Sequence, residues 1–344
     1  LGRKRGALLA LVCLVLVWPA AALAGNGGLA PPDSSTESGD TIRFIYWVVT
    51  AACAVVFLLI ETALILFIIR FRRRRDTAED VEGPQIHGNT RLEILWTAIP
   101  ALALAALAIF TIVKTPDVLA NASGQAASDT TEIRVDGHQF YWQYTYPNGA
   151  ISLDTLYLPV GKTASLELHS KDVNHSWWVP ELTGKLDAIP GHPNTLDFEP
   201  RRTGTYENGK CAEFCGIQHA IMDTIVRVVS EDEYRAWLED NAPSDSEKAL
   251  VALGEQEWTA SCAKCHGLDG SGDIGPSIQG NGTLLNRSAL KQLLLNGQNE
   301  ATIDSYMPPV GAGWEERQFD ALIAYVKSNQ RLSTSPAQGG QSGG

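Results

Sequence analysis

Cys211-Ala212-Glu213-Phe214-Cys215-Gly216-Ile217-Gln218-His219-Ala220-Ile221-Met222 sets two thiols four residues apart, then an imidazole, then a thioether. Soft sulfur and imidazole donors select copper or zinc over hard cations. A structural zinc site has no use for Met222. A mononuclear electron-transfer copper site needs one Cys, two His and an axial Met. Here a second Cys is present, and a second imidazole, His175, stands upstream in Asp172-Val173-Asn174-His175-Ser176-Trp177-Trp178. Two thiolates can bridge two coppers with one imidazole left for each. Met222 then becomes the weak ligand of one copper, and a backbone carbonyl serves the other. Such a pair shares one electron over two metals, which suits electron transfer rather than substrate binding. The competing reading is a Cys211–Cys215 disulfide, permitted in an exported domain, but it leaves the His219 and Met222 spacing unexplained.

Forty residues further on, a second cluster begins with Cys262-Ala263-Lys264-Cys265-His266. This is C-x-x-C-H, the attachment pattern of c-type haem. The thiols of Cys262 and Cys265 add to the haem vinyl groups and His266 binds the iron. Met307, in Tyr306-Met307-Pro308-Pro309, is the natural sixth ligand. A redox or zinc dithiol is the alternative. Met222 and Met307 are the only two methionines of the chain, and each follows a Cys/His cluster.

The rest of the 344 residues shows where these clusters sit. Hydrophobic residues make up 44% and charged residues 19%, which excludes a disordered chain or a small disulfide scaffold. The net charge of −12 argues against a nucleic-acid binder. It is unevenly placed: residues 1–114 carry 11 Lys/Arg and 9 Asp/Glu, and residues 115–344 carry 16 and 30. Arg3-Lys4-Arg5, the apolar run Ala7 to Val17 and Ala22-Leu23-Ala24 predict a signal peptide over 1–24. A Gly/Pro/Ser-rich exported arm follows over 25–43. Two apolar stretches, 44–69 and 94–113, are long enough to cross a bilayer, and the first contains one charge, Glu61. The loop between them, 70–93, opens with Arg70-Phe71-Arg72-Arg73-Arg74-Arg75 and is therefore cytoplasmic. Both ends of this hairpin lie outside the cytoplasm.

Residues 115–240 read as β-structure, with Val/Ile/Tyr/Trp/Thr-rich runs at 132–146, 151–158, 164–168 and 224–229, an antiparallel barrel or sandwich ending in a helix. A linker covers 241–246. Residues 247–330 read as a small all-helical domain with a Gly-rich loop, and residues 331–344 as a disordered tail. His87, His138 and His169 fall outside either ligand spacing and are assigned no chemistry. Trp177 and Trp178 are expected to serve packing.

The dodecapeptide resembles the dinuclear copper A motif of cytochrome c oxidase subunit II. The likeness extends to Arg91-Leu92-Glu93-Ile94-Leu95-Trp96-Thr97-Ala98-Ile99-Pro100, to Gly137-His138-Gln139-Phe140-Tyr141-Trp142-Gln143-Tyr144, and to His175 through Pro180 and Lys185 through Gly191. Residues 247–330 resemble class I cytochrome c, including Gly275-Pro276 after the attachment motif. The arrangement is similar to caa3-type oxidases. The resemblance implies a multidomain membrane protein, built of a two-helix transmembrane hairpin, a β-barrel cupredoxin-like copper domain and an all-α cytochrome c domain. It implies copper ligation by His175, Cys211, Cys215, His219 and Met222, with Glu213 contributing its carbonyl. The Glu213 carboxylate is implied to reach a magnesium shared with subunit I, and Glu93 to match a carboxylate linked to proton entry, against its plain reading as a solvated helix end. Implied partners are oxidase subunit I with its haem and copper B, subunit III, a cytochrome c donor and membrane lipid. The implied location is a bacterial inner membrane with both metal domains on the periplasmic side. Electrons would pass from the donor to haem c, to copper A and to subunit I, where O2 is reduced and protons are pumped; this chain itself holds no oxygen site. A nitric oxide reductase subunit and a non-catalytic copper-binding membrane protein are the alternatives. Two positions depart from the family: Phe140 stands where Trp is usual, at the entry point for electrons from a docked cytochrome c, and His192 where Arg is usual. A tethered donor works at high effective concentration, which would spare the chain a dock for a free one at Phe140.

Overall fold

The computed structural model describes residues 30–72, 85, 88–119, 130–299 and 306–333. The expected signal peptide, Arg73–Arg75, His87 and residues 334–344 lie outside them. The chain divides into two units, one holding most of the N-terminal third and the other residues 34–39 with everything from 120 onward.

In the first unit, helix α1 spans Glu37–Phe71 and helix α2 spans Thr90–Leu119. Each contains a continuous apolar run, so neither has a polar stripe to separate from a buried one, and both expose Leu and Ile all round. At 1.5 Å per residue they are about 52 and 45 Å long, more than the ~30 Å hydrocarbon thickness of a bilayer. They therefore run past the apolar stretches at both ends. Phe44 packs edge-on against Phe110, ring centres 6.1 Å apart. At the start of α2, Asn89 Oδ1 accepts from the Leu92 N–H and the Glu93 carboxylate accepts from the Asn89 N–H. Glu93 thus has a structural task, closing the first turn.

The Gly/Pro/Ser composition of the arm reads as solvated, but in the second unit Ser35, Thr36 and Ser38 are buried. The Ser35 N–H donates to the Glu181 carbonyl at 2.8 Å, its carbonyl accepts from the Arg201 N–H at 2.8 Å, and the Thr36 hydroxyl donates to the Leu182 carbonyl. Small hydroxyl residues fit here because they satisfy backbone groups without demanding volume.

The β-domain is a sandwich of two five-stranded sheets. One sheet orders β3 (Ile151–Leu153), β2 (Tyr141–Thr145), β1 (Thr130–His138), β5 (Thr163–Ser170) and β8 (Asn194–Phe198). The other orders β4 (Thr155–Pro159), β10 (Asp223–Val229), β9 (Gly204–Cys211), β6 (His175–Trp178) and β7 (Leu186–Ala188). Both sheets are mixed, not purely antiparallel as expected, because β1 pairs parallel with β5 and β10 parallel with β4. Alternate residues of β5 and β10 point inward, as a half-buried strand requires. Between the sheets, the Trp177 Nε1–H donates to the Tyr144 hydroxyl at 2.8 Å, and that hydroxyl meets Thr224 Oγ1 at 2.6 Å. The aromatic core therefore carries its polar atoms in a closed chain across both sheets. Helix α3 (Glu231–Asp240) closes one end, capped by Ser230 and Glu233 in a reciprocal box.

The run read as continuous from 132 to 146 is a hairpin. β1 and β2 pair antiparallel with His138 opposite Tyr141, so the chain reverses at Gln139–Phe140. Neither residue is a turn former, so the reversal has no local mark. The turn is held from outside: the Gln139 N–H donates to Asp172 Oδ2 at 2.6 Å.

The helical domain contains α4 (Glu247–Glu257), a wider turn at Trp258–Cys262, α5 (Ala263–His266), α6 (Arg287–Asn296), α7 (Glu316–Ser328) and α8 (Gln330–Ser333), with a two-stranded ribbon of β11 (Gln298–Asn299) and β12 (Tyr306–Met307). α4 packs against α7 with Gly254 at the crossing, where a Cβ would sit 2.0 Å from the Ala321 carbonyl oxygen. The tail, expected to be disordered from 331, joins the core first: Leu332 is buried and its carbonyl accepts from the Gly280 N–H at 2.9 Å.

The two domains share a core. Tyr141, Ile151 and Leu153 of the β-domain belong to the apolar cluster of Trp258, Trp314, Phe319 and Leu322. The Tyr141 hydroxyl donates to the Val310 carbonyl at 2.7 Å and accepts from Trp314 Nε1–H at 2.6 Å. Gln318, fully buried, donates to Gln143 Oε1 at 2.9 Å and to Glu257 Oε1 at 2.6 Å. Burial without a cation pushes the Glu257 carboxyl up to about 8, only partly offset by Gln318. Between its ordinary 4.5 and about 8, the folded protein keeps a proton that the unfolded chain has released, so this group's stability contribution falls as pH rises through that window. In denaturant unfolding, Glu257→Gln should match the native protein near pH 4.5 and exceed it in stability at pH 8; parallel pH profiles would refute the assignment.

Candidate metal and haem centres

The first cluster is built where three elements end. β6 supplies His175, the end of β9 supplies Cys211, and the loop after it, closing with a single turn at His219–Ile221, supplies the rest. His175, Cys211 and Cys215 are buried, and their donor atoms all lie within 4.8 Å of one another. His175 Nδ1 is 3.8 Å from Cys211 Sγ, the two sulfurs are 3.8 Å apart, and His219 Nδ1 and Met222 Sδ lie 3.6 and 3.7 Å from Cys215 Sγ. The Glu213 carbonyl is 3.2 Å from Cys211 Sγ. All six residues singled out in the sequence therefore converge.

A disulfide needs sulfurs about 2.05 Å apart, and both thiols here are free. At 3.8 Å they are separated by less than two thiolate–metal bonds of about 2.3 Å, so one metal can touch both. The electrostatics point the same way. Hydrogen bonding from Cys215, against the opposing cost of burial, holds Cys211 well below the ordinary thiol range, with His175 adding to it. Cys215 is pushed far up by the thiolate beside it and by burial. Two buried sulfurs cannot both ionise without a cation between them, so the donor set fits a bound metal of positive charge. The far nitrogen of His175, Nε2, meets Asp172 Oδ1 at 2.7 Å, which fixes the ring so that Nδ1 faces the sulfurs. Burial alone would lower His175, but its bonds to Asp172 and Cys211 outweigh it and raise it. Asp172 was not singled out in the sequence, although its place three residues before His175 was available as a signal.

Glu213 projects its carboxylate outward, 3.8 Å from Lys185 Nζ. Lys185 also pairs with Asp187 at 3.0 Å. His138 is buried and stacks on Tyr141 at 4.5 Å; burial lowers it to about 4, which keeps it neutral. His169 sits 3.2 Å from the Glu167 carboxylate. Trp177 is core, whereas Trp178 is 38% exposed. His192 is exposed.

The second cluster surrounds a cavity of about 500 Å³ in the helical domain. Cys262, Cys265, His266 and Met307 all line it, with Leu284, Leu290, Leu294 and Ile278 among the apolar residues of its wall. Volume and lining suit a large flat apolar group. His266 Nδ1 meets the Pro276 carbonyl at 2.7 Å, leaving Nε2 for the cavity. Gly275 permits that approach, since a Cβ there would sit 3.0 Å from the imidazole. Burial pushes the Cys262 thiol up to about 12 and raises Cys265, so neither is a reactive thiolate of the redox-dithiol kind. Phe140, Gln139, Ile217 and Gln218 of the β-domain complete the wall. Phe140 is 4% exposed, so it is no open surface for a free donor.

The chain matches the family described as cytochrome c oxidase subunit II, transmembrane domain, over residues 24–113, and its periplasmic domain over 150–229. Residues 249–326 match the family described as cytochrome c oxidase, cbb3-type, subunit III. The second match contains all six residues of the first cluster, and the third contains Cys262, Cys265, His266 and Met307. The cytochrome c oxidase subunit 2 of Alkalihalophilus pseudofirmus is 36% identical over 287 residues, covering 77% of this chain and 80% of that protein. That of Synechocystis is 30% identical over 292 residues, covering 71% and 87%. A crystal structure of the periplasmic domain of subunit II of cytochrome oxidase from Bradyrhizobium japonicum is 30% identical, covers 32% of this chain and 92% of that one, and aligns with a TM-score of 0.31. With its two membrane-type helices, its cupredoxin-like sandwich and the haem-type domain that follows, the chain belongs to the cytochrome c oxidase subunit 2 family.

Proposed function

We propose that this chain is the electron-entry subunit of a haem-copper oxidase, taking electrons from a cytochrome c donor and passing them through its own haem c and copper A to subunit I, where O2 is reduced with proton pumping. The observation that carries the reading is the convergence of two buried thiols, two imidazoles and a thioether in the same folded unit as a haem-sized cavity bearing C-x-x-C-H.

His175, Cys211, Cys215, His219 and Met222 hold the copper pair, with the Glu213 carbonyl. Cys262 and Cys265 attach the haem, and His266 and Met307 ligate its iron. When bound, the two groups supply one-electron carriers of small structural change; the protein supplies orientation and tuning. Asp172 holds the His175 ring in its working direction. Burial of both thiols excludes water and protons from the copper pair. The Glu213 carboxylate, directed outward, is the group for a magnesium shared with subunit I. Glu93 remains the candidate for proton entry, and its role in capping α2 would place that carboxylate at a fixed point of the helix. Subunit III, membrane lipid and a bacterial inner membrane with the metal domains on the periplasmic side complete the assignment.

Three measurements test this. Cys215→Ser should abolish copper binding and oxygen uptake while leaving the haem attached; native copper content or native turnover would refute the copper assignment. Met307→Leu should keep the covalent haem but lower its potential by on the order of 0.1 V, since axial ligands set haem potentials over roughly 0.8 V; an unchanged potential would remove Met307 as ligand. Residues 115–344 carry 16 basic and 30 acidic side chains, so a cationic donor is steered by charge. Turnover with such a donor should fall as salt shortens the Debye length from about 10 Å at 0.1 M to about 3 Å at 1 M, and a flat salt dependence would exclude steering.

A further inference from the structure

The hairpin tip Gln139–Phe140 belongs to the β-domain, yet it lines the haem cavity of the helical domain. It is fastened on both sides. The Gln139 N–H donates to Asp172 Oδ2 at 2.6 Å, and the other oxygen of that carboxylate holds His175. Lys264, between the two attachment cysteines, donates to the Phe140 carbonyl at 2.8 Å and pairs with Asp154 at 2.6 Å. In return, Gln218 Nε2 donates to the Lys264 carbonyl at 2.8 Å.

From this fixed point the Gln139 side chain reaches in two directions. Its Nε2 donates to the Cys215 carbonyl at 2.5 Å, and its Oε1 accepts from the Tyr306 hydroxyl at 3.2 Å. Tyr306 adjoins Met307, and Cys215 is a copper donor. The amide donates through Nε2 and accepts through Oε1 at once; a carboxylate here would set lone pair against lone pair at Cys215. Gly216, at φ +131°, lets the tip lie on the donor loop, because a Cβ there would stand 2.8 Å from Gln139 Nε2 and 3.0 Å from the Phe140 ring.

Building on the electron-relay reading, we propose that Gln139 is a positioning residue for electron passage between the two centres. It locks the Cys215 segment and the Met307 segment into one register and closes the hydrogen-bonded path Met307–Tyr306–Gln139–Cys215. With both groups bound, the register that Gln139 holds would serve the transfer of one electron, the haem going from Fe(II) to Fe(III) and the copper pair gaining that electron; no bond would break and no proton would move.

The test uses the full chain with copper and haem content measured on every variant. Internal electron redistribution after flash reduction of the haem should slow by about tenfold in Gln139→Leu, short of the roughly hundredfold that a 1 Å misplacement of reacting groups can cost. Gln139→Glu, which keeps the acceptor for Tyr306 and loses the donor to Cys215, should be similarly slow. Tyr306→Phe should slow it by a similar factor, and the double variant with Gln139→Leu should be no slower than either single variant, since one open end already breaks the path. Amide hydrogen exchange should rise together at residues 211–219 and 306–310 in Gln139→Leu. Fully loaded Gln139 variants with native transfer rates, or losses that add in the double variant, overturn the positioning role and leave the relay reading intact. A native chain that binds no copper or no haem overturns both.

Discussion

The insertion of Tyr141, Ile151 and Leu153 into the core of the helical domain is the interaction on which the rest depends. Those three side chains sit on β2 and β3, the edge of a sheet whose other face belongs to the sandwich core. An exposed apolar face of this kind invites association with other chains unless something covers it. Here the helical domain covers it with apolar surface and with three satisfied polar contacts, at Tyr141, Gln143 and Lys264. Removing one partner of such a buried contact costs about 1–3 kcal/mol. The domains thus meet as parts of one packed body rather than as beads on a tether, although the linker alone would have allowed the latter.

That packing changes the meaning of Phe140. As a departure from the family pattern it suggested a dock made dispensable by high local concentration. In the structure it is buried, its carbonyl holds Lys264, and its ring borders the haem cavity. The chain's own helical domain packs over the Phe140 position. Asp172 serves both sides of this arrangement, one carboxylate oxygen on His175 and the other on the hairpin tip. The copper donor geometry and the position of the tip are therefore set by the same group.

The parts legible in the sequence were those whose signal is local. The two Cys/His clusters and the apolar spans depend on residues a few positions apart, and spacing alone exposes them. The parts missed depend on long-range contacts. Nothing in Gln139–Phe140 marks a turn, because Asp172 and Lys264 stabilise it from 33 and 124 residues away. Lys264 reads as a spacer in C-x-x-C-H, and its pairing with Asp154 has no local trace. Ser34–Gly39 has the composition of a solvated arm, and bonds with Glu181, Leu182, Arg201 and Arg202, far away in the chain, make it a buried strap. Leu332 likewise gains its place from Gly280 and the helical core.

Pulsed electron paramagnetic resonance between the copper centre and the oxidised haem iron of the loaded, full-length protein addresses the shared core most directly. A single narrow distance distribution, unchanged by solvent viscosity, is the predicted result. A broad or multiple distribution, as two independently moving domains produce, would contradict it.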